Sequence, residues 1–211
     1  MKKCLIIGGN GGLGRQLTPL LESKYDVYAP TSDKLDITNL LELQSLFKKN
    51  TYDLIINMSC CNVDGFAHKL NEAEVNKQIN VNIIGNVNIV NSALQNMRNS
   101  GGNIILFSSI LAEKAVPGTS IYSGCKGFIE SFVRTVAIEN FRKNLFINAL
   151  QLGYFDGGLT YRIPEDLRNH IQDTIPAGRF GSINEIYNTI DYIISTPYVS
   201  GSTLRVNGGV L

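Results

Sequence analysis

Lys3-Cys4-Leu5-Ile6-Ile7-Gly8-Gly9-Asn10-Gly11-Gly12-Leu13-Gly14 carries the decisive pattern of this 211-residue chain. An uninterrupted apolar run enters a glycine-rich turn, and a helical pattern, Leu13–Ser23, begins as the turn ends. Such a run suits a strand buried on both faces. Glycine permits positive φ and lets a phosphate approach the backbone. The helix amino terminus adds unpaired N–H groups and the positive end of its dipole. Strand, glycine turn and helix in that order predict a dinucleotide pyrophosphate site, with a plain tight turn as the alternative. Gly8, Asn10, Gly11, Gly12, Leu13 and Gly14 would form it.

The pattern repeats along the chain. β-rich runs recur at Asp26–Ala29, Leu54–Asn57, Asn103–Phe107, Phe146–Leu150 and Thr203–Val206. Helical periodicity occupies Thr38–Lys49, Asn71–Arg98, Ile121–Phe141 and Ile183–Ser195. Parallel strands need crossover connections, and crossovers are right-handed almost without exception. The expected fold is therefore α/β: one Rossmann-type doubly wound parallel sheet of six strands, helices on both faces, in a single domain over 1–211. The least periodic segment, Gly153 to Gly181, holds Pro164, Pro176 and a short helical stretch near Glu165–Asp173. It follows a strand, so it should overhang the carboxyl edge of the sheet as a substrate loop at about 153–181.

Composition narrows the partners. Nineteen basic residues face eighteen acidic ones for a net charge of +1, which gives nucleic acid or an acidic membrane no electrostatic footprint. Apolar residues make up 44% of the chain, enough for a substantial core. Lys2-Lys3 precede only four apolar residues before glycine, which suits a buried strand better than a secretory signal. A cytoplasmic protein is expected. Cys4, Cys60, Cys61 and Cys125 lack the spaced pairs of a zinc site and read as reduced thiols.

Tyr122 and Lys126 stand four apart near the start of a helix, so phenol and ammonium address one face. A free phenol has a pKa near 10, and bringing it to about 7 takes roughly 4 kcal/mol of extra phenolate stabilisation. A nearby ammonium is one source of that stabilisation. A solvated helix face would show the same spacing. Asn103–Phe107 leads into Ser108-Ser109 at the carboxyl edge, where a hydroxyl could hold a substrate oxygen or simply cap a loop.

Gly8-x-x-x-Gly12-Leu13-Gly14, Tyr122-x-x-x-Lys126 and Ser109 thirteen residues before the tyrosine together resemble the short-chain dehydrogenase/reductase family. Asn82-Ile83-Ile84-Gly85 resembles its Asn-x-x-Gly motif, and Asn148 to Gly153 its Asn-x-x-x-Pro-Gly with Leu152 for proline. Ile175–Gly181 and Ser200–Gly209 are similar to later family segments, so the likeness spans nearly the whole chain. The resemblance implies hydride transfer between a nicotinamide cofactor and a small carbonyl or secondary alcohol. Tyr122 would act as general acid/base, Lys126 on ribose and phenol, Ser109 on substrate oxygen and Asn82 in a water relay. Gly153, Tyr154 and Phe155 would pass the nicotinamide. It also implies a homodimer or homotetramer built on the two long helices.

Departures from the family pattern set further expectations. Ile7 stands where threonine is usual before the first glycine, and Asn57-Met58-Ser59-Cys60 replaces Asn-Asn-Ala-Gly beside the ribose. Leu35-Asp36-Ile37-Thr38 arrives early, which implies a trimmed sheet edge with Asp36 and Ile37 beside adenine. An acidic residue ending the second strand would select NAD. Pro30-Thr31-Ser32 stands there instead, with Lys34 and Arg15 able to meet a phosphate and Asp33 opposing it, so NADP(H) is favoured over NAD(H). Alternatives are a non-catalytic dinucleotide-binding sensor and a nucleotide-sugar-modifying relative. The first usually lacks the tyrosine or lysine, and the second needs a longer chain. An enoyl reductase usually places more residues between tyrosine and lysine.

Overall fold

The computed structural model describes residues 1–210, with Arg162 described by its backbone alone. Six strands form one sheet: β1 (Lys2–Ile7), β2 (Tyr25–Tyr28), β3 (Leu54–Asn57), β4 (Gly102–Ser109), β5 (Leu145–Leu152) and β6 (Thr203–Val206). They lie in the order β2-β1-β3-β4-β5-β6, and every pairing is parallel. The expected doubly wound sheet is present, with β2 and β6 at its edges. The chain leaves β1 towards β2 on one side and crosses to β3 on the other. The crevice beyond the carboxyl ends of β1 and β3 is therefore the switch point where open α/β sheets bind ligands.

Both faces are covered, which explains the uninterrupted apolar strands. Leu5, Ile55, Ile104, Leu106 and Ile147 pack on one face with residues of α2 (Leu40–Lys49), α4 (Gly85–Ser100) and α5 (Ser120–Asn140). Ile6, Ile56, Ile105 and Leu150 point the other way, onto α1 (Gly14–Glu22) and α7 (Ile183–Ser195). Two further helices, α3 (Glu72–Ile79) and α6 (Glu165–Thr174), flank the carboxyl-edge loops. Helix entry follows local chemistry. Asn39 caps α2, and Asn71 with Glu74 and Ser182 with Glu185 form capping boxes on α3 and α7.

One element departs from expectation. Asn71–Arg98 is not a single α-helix: a π-helical turn, Asn80–Ile84, separates α3 from α4. Such turns interrupt the i→i−4 ladder and mark functional sites more often than chance. Here the turn points Asn82 fully inward. Among the described residues, no helix is long and apolar enough to cross a membrane.

Candidate active site

The glycine turn lies at the switch point. Gly8 takes φ +79°, and a Cβ there would sit 2.7 Å from the Ser59 amide nitrogen, so the turn passes hard against the chain leaving β3. Gly11 N donates to the Gly8 carbonyl at 2.9 Å. Asn10 Nδ2 ties the turn to the Ala29 carbonyl at 3.0 Å, just beyond β2. Helix α1 starts at Leu13 with no side-chain cap and no acidic residue in its first turn. Unpaired N–H groups, a positive dipole end and no competing carboxylate fit a dinucleotide pyrophosphate. Gly157 and Gly158 cover part of that cradle. A Cβ on Gly12 would sit 2.5 Å from the Gly158 Cα, and Gln16 Nε2 reaches both the Gly12 and Asp156 carbonyls at 3.4 Å.

The end of β3 is tied into an asparagine string. Asn57 is buried, donates to Asn86 Oδ1 at 2.8 Å, and accepts from the Ser59 amide and hydroxyl. Asn86 in turn donates to the Asn82 carbonyl at 2.8 Å. The Asn82 amide accepts from Cys61 N at 3.0 Å and donates to its carbonyl at 2.6 Å. Asn82 thus clamps the loop after β3, and these bonds lead to Cys61 and Asn86 rather than to Lys126. Met58 packs partly into the core beneath α1 and α7.

At the end of β2, Thr31 and Ser32 stand at the surface with Lys34. Arg15 Nε donates to the Asn10 carbonyl at 2.8 Å, which holds its guanidinium near the glycine turn. A hydrogen bond from Thr31 holds the Asp33 carboxyl below its ordinary pKa. Asp36 accepts from the Thr38 amide and hydroxyl at 2.9 and 2.8 Å, a local turn motif. Ile37 is buried in the core, so its side chain faces away from any adenine site.

On α5, Tyr122 and Lys126 are both buried, and Lys126 Nζ lies 5.3 Å from the Tyr122 ring centroid. Lys126 Nζ donates to the Phe107 carbonyl at 2.8 Å. Ser109 accepts from Leu111 N at 3.2 Å, so it caps the turn Ile110–Ala112, and its hydroxyl lies close enough to the phenol to moderate its pKa. The expected trio converges at the carboxyl end of β4. The electrostatics differ from expectation. Burial, then the nearby Cys60 thiol, push the Tyr122 phenol above its ordinary pKa of 10.0, and the Ser109 hydrogen bond only partly opposes them. Burial likewise pulls Lys126 below its ordinary value. Without solvent, each group favours its neutral form.

Beyond β5, Gly153 N donates to the Val206 carbonyl at 3.0 Å. Tyr154 meets Phe180 edge to face, with ring centroids 6.5 Å apart. Phe155 is 3% exposed and inserts into the core with α1 and α7, so only its backbone remains near the cleft. The Thr160 hydroxyl bonds the Phe155 and Gly157 carbonyls and shapes the turn that rests on Gly12. A cavity of about 230 Å³ opens between Tyr154, Arg179, Arg205 and Asn207, and neither Tyr122 nor Lys126 lines it.

Three features at this edge carry no motif. Ser108 and Glu130 form a buried hydrogen bond at 2.6 Å, and Gln151 joins them at 3.1 Å. Gln16 bridges the glycine turn to the loop. Arg168 pairs with Asp156 and stacks over Tyr161 and Phe180. Glu130 repeats the four-residue spacing of Tyr122 and Lys126, a signal that amphipathic surface charges share.

A parallel sheet with its switch point at a glycine turn, and a Ser-Tyr-Lys trio beside it, define a nucleotide-dependent oxidoreductase class. A family model described as enoyl-(acyl carrier protein) reductase matches residues 21–211. The chain belongs to this family, within the short-chain dehydrogenases/reductases, whose reductases use nicotinamide cofactors. It is 26% identical to a 3-oxoacyl-[acyl-carrier-protein] reductase of Mus musculus, over 99% of this chain and 98% of that protein. Carbonyl reductase family member 4 of Xenopus laevis is also 26% identical, with the same coverage. Nodulation protein G of Azospirillum brasilense is 32% identical over 75% of this chain and 65% of its own length.

Proposed function

We propose that this chain is an NADP(H)-dependent carbonyl reductase in which Tyr122 gives the proton to the substrate oxygen. The convergence of Ser109, Tyr122 and Lys126 at the carboxyl end of β4 carries the reading. Ser109 holds the substrate oxygen beside the phenol, so that the proton is aligned for transfer. Lys126, fixed by the Phe107 carbonyl, is placed to bind the cofactor ribose and to lower the phenol pKa as proton transfer proceeds. Gly8, Gly11, Gly12, Leu13 and Gly14 take the pyrophosphate, and Asn57 to Ser59 border the ribose. The bound cofactor supplies the hydride.

Tyr122, buried and raised above its ordinary 10.0, carries its proton throughout the neutral range, as the proposed donor role requires. Arg15, Lys34, Thr31 and Ser32 support NADP(H), and Asp33, exposed and held ionised, is the one group that opposes it. Asn82 serves by holding the Cys61 loop. Three residues separate Tyr122 from Lys126, which favours carbonyl over enoyl reduction despite the family's description. The names of the mouse and frog relatives make 3-oxoacyl thioesters and simple ketones the first substrates to try. We read 1–211 as one domain with its substrate loop at 153–181, forming homodimers or homotetramers. The unpaired thiols support a cytoplasmic setting.

The test is consumption of NADPH, followed by absorbance, against acetoacetyl-CoA and a panel of ketones and aldehydes. Turnover with NADPH preferred over NADH is expected. Tight cofactor binding with no turnover on any substrate would favour the sensor reading instead.

A further inference from the structure

Helix α5 presents three residues to the end of β4 at four-residue spacing: Tyr122, Lys126 and Glu130. Each engages one of three consecutive strand residues. The Ser109 hydroxyl lies beside the Tyr122 phenol, Lys126 Nζ donates to the Phe107 carbonyl at 2.8 Å, and the Ser108 hydroxyl donates to Glu130 Oε1 at 2.6 Å. Gln151 Nε2 donates to the same Glu130 oxygen at 3.1 Å. Ser108 and Gln151 are direct register partners on β4 and β5. One carboxylate oxygen therefore grips both strands and the helix, one residue before Ser109.

Glu130 is 8% exposed, its two bonding partners are neutral donors, and Arg205, which feels its charge, is bonded to Glu113 instead. Burying a carboxylate without a bonded cation opposes folding, and an apolar side chain of similar volume often serves stability as well or better. The arrangement is therefore poorly explained by stability. What the carboxylate gives is placement: with Ser108 fixed, the Ser109 hydroxyl and the Phe107 carbonyl have set positions relative to Tyr122 and Lys126.

We propose that Glu130 is a positioning residue for proton transfer, acting through Ser108 on Ser109 and Lys126. This rests on the carbonyl-reductase reading above. Substitutions separate placement from stability. Glu130→Leu fills the volume without an acceptor, Glu130→Gln keeps the acceptor oxygen, and Ser108→Ala removes the donor together with its longer 3.2 Å contact to the Lys126 carbonyl.

With NADPH and acetoacetyl-CoA, Glu130→Leu and Ser108→Ala should each lower kcat roughly 10- to 100-fold, the scale of a small misplacement of reacting groups. KM for NADPH should stay within about threefold, and Glu130→Gln should recover most of kcat. The double variant should be no slower than the worse single one, because both remove one interaction. Amide hydrogen exchange over residues 108–111 should speed up in Glu130→Leu and Ser108→Ala but not in Glu130→Gln, a readout independent of the substrate. Wild-type kcat in Glu130→Leu or Ser108→Ala overturns the proposal, as do additive losses in the double variant or unchanged exchange. If Glu130→Leu fails to fold, Ser108→Ala carries the same test. Tyr122→Phe run alongside distinguishes the failures: an active Tyr122→Phe rejects the reductase reading itself, whereas an inactive one beside an unaffected Glu130→Leu rejects only Glu130.

Discussion

Gly158 lies against Gly12 so closely that a side chain on Gly12 would collide with its backbone. The loop after β5 thus rests on the amino terminus of α1, the part of the turn that a pyrophosphate would use. A pyrophosphate taken up at this turn would compete with the loop contact. Gly158 has φ +62°, and a Cβ there would lie 3.4 Å from Leu13 Cγ, so Gly158→Ala strains this arrangement by about 1–2 kcal/mol. If that cost falls on the covered state, NADPH affinity should rise by about fivefold to thirtyfold, the arithmetic of a population shift of that size. A fluorescence titration measures it. Weaker binding would mean that the loop in this position helps to hold the cofactor.

The raised Tyr122 pKa sets a sign for the pH dependence. A phenol above its ordinary value of 10.0 stays protonated at neutral pH. The reductive kcat/KM should therefore hold level across the neutral range and fall only at strongly alkaline pH. Alcohol oxidation, which needs phenolate, should rise with pH over the same span. Paired pH profiles in the two directions check this. A reductive rate already falling near pH 7 would show that the bound cofactor outweighs burial.

Arg179 and the Ser182 amide hold the Glu185 carboxyl down at about 2, from 4.5. A carboxyl depressed by folding stabilises the fold above its unfolded pKa and loses that contribution as pH falls through the folded one. The window is thus pH 4.5 down to about 2. The Glu185 side chain is 37% exposed and Arg179 59%, so screening holds the contribution below about 1 kcal/mol. Glu185→Gln, which keeps an acceptor at the start of α7, should melt slightly below wild type at neutral pH. The gap should close across that window and shrink with salt.

Asn82 clamps Cys61 from a fully buried position. Asn82→Ala leaves the Cys61 amide and carbonyl without these partners, a cost of about 1–3 kcal/mol. Urea unfolding should show the lower midpoint, and exchange at residues 58–64 should increase. An unchanged midpoint would mean that water replaces the amide fully.

Much of this architecture was legible because strand burial writes itself as apolar runs. Leu54–Asn57, Thr203–Val206 and Ile183–Ser195 match their predicted bounds. The glycine turn and the Tyr122–Lys126 pair follow from local spacing, and Ser109 joined them through the family resemblance. Direction and partnership were harder to read. Ile37 and Phe155 are apolar in sequence, but only packing shows that they turn into the core rather than towards a ligand. The π turn at Asn80–Ile84 leaves no proline or distinctive period, and its sign is the inward Asn82, one asparagine among several. The phenol pKa depends on burial, which spacing does not report. Glu130 was passed over for the same reason, since a charge on an amphipathic helix reads as solvated until the strand opposite is known.

Tyr122→Phe tests the central claim most directly, with turnover of acetoacetyl-CoA and NADPH binding measured on the same preparation. The phenol oxygen is the proposed proton donor, so kcat should fall at least about 100- to 10,000-fold, the range for losing a general acid. The NADPH dissociation constant should stay within about threefold, since the glycine turn and Lys126 are untouched. Turnover within about threefold of wild type would contradict the account, because the proton would then come from elsewhere.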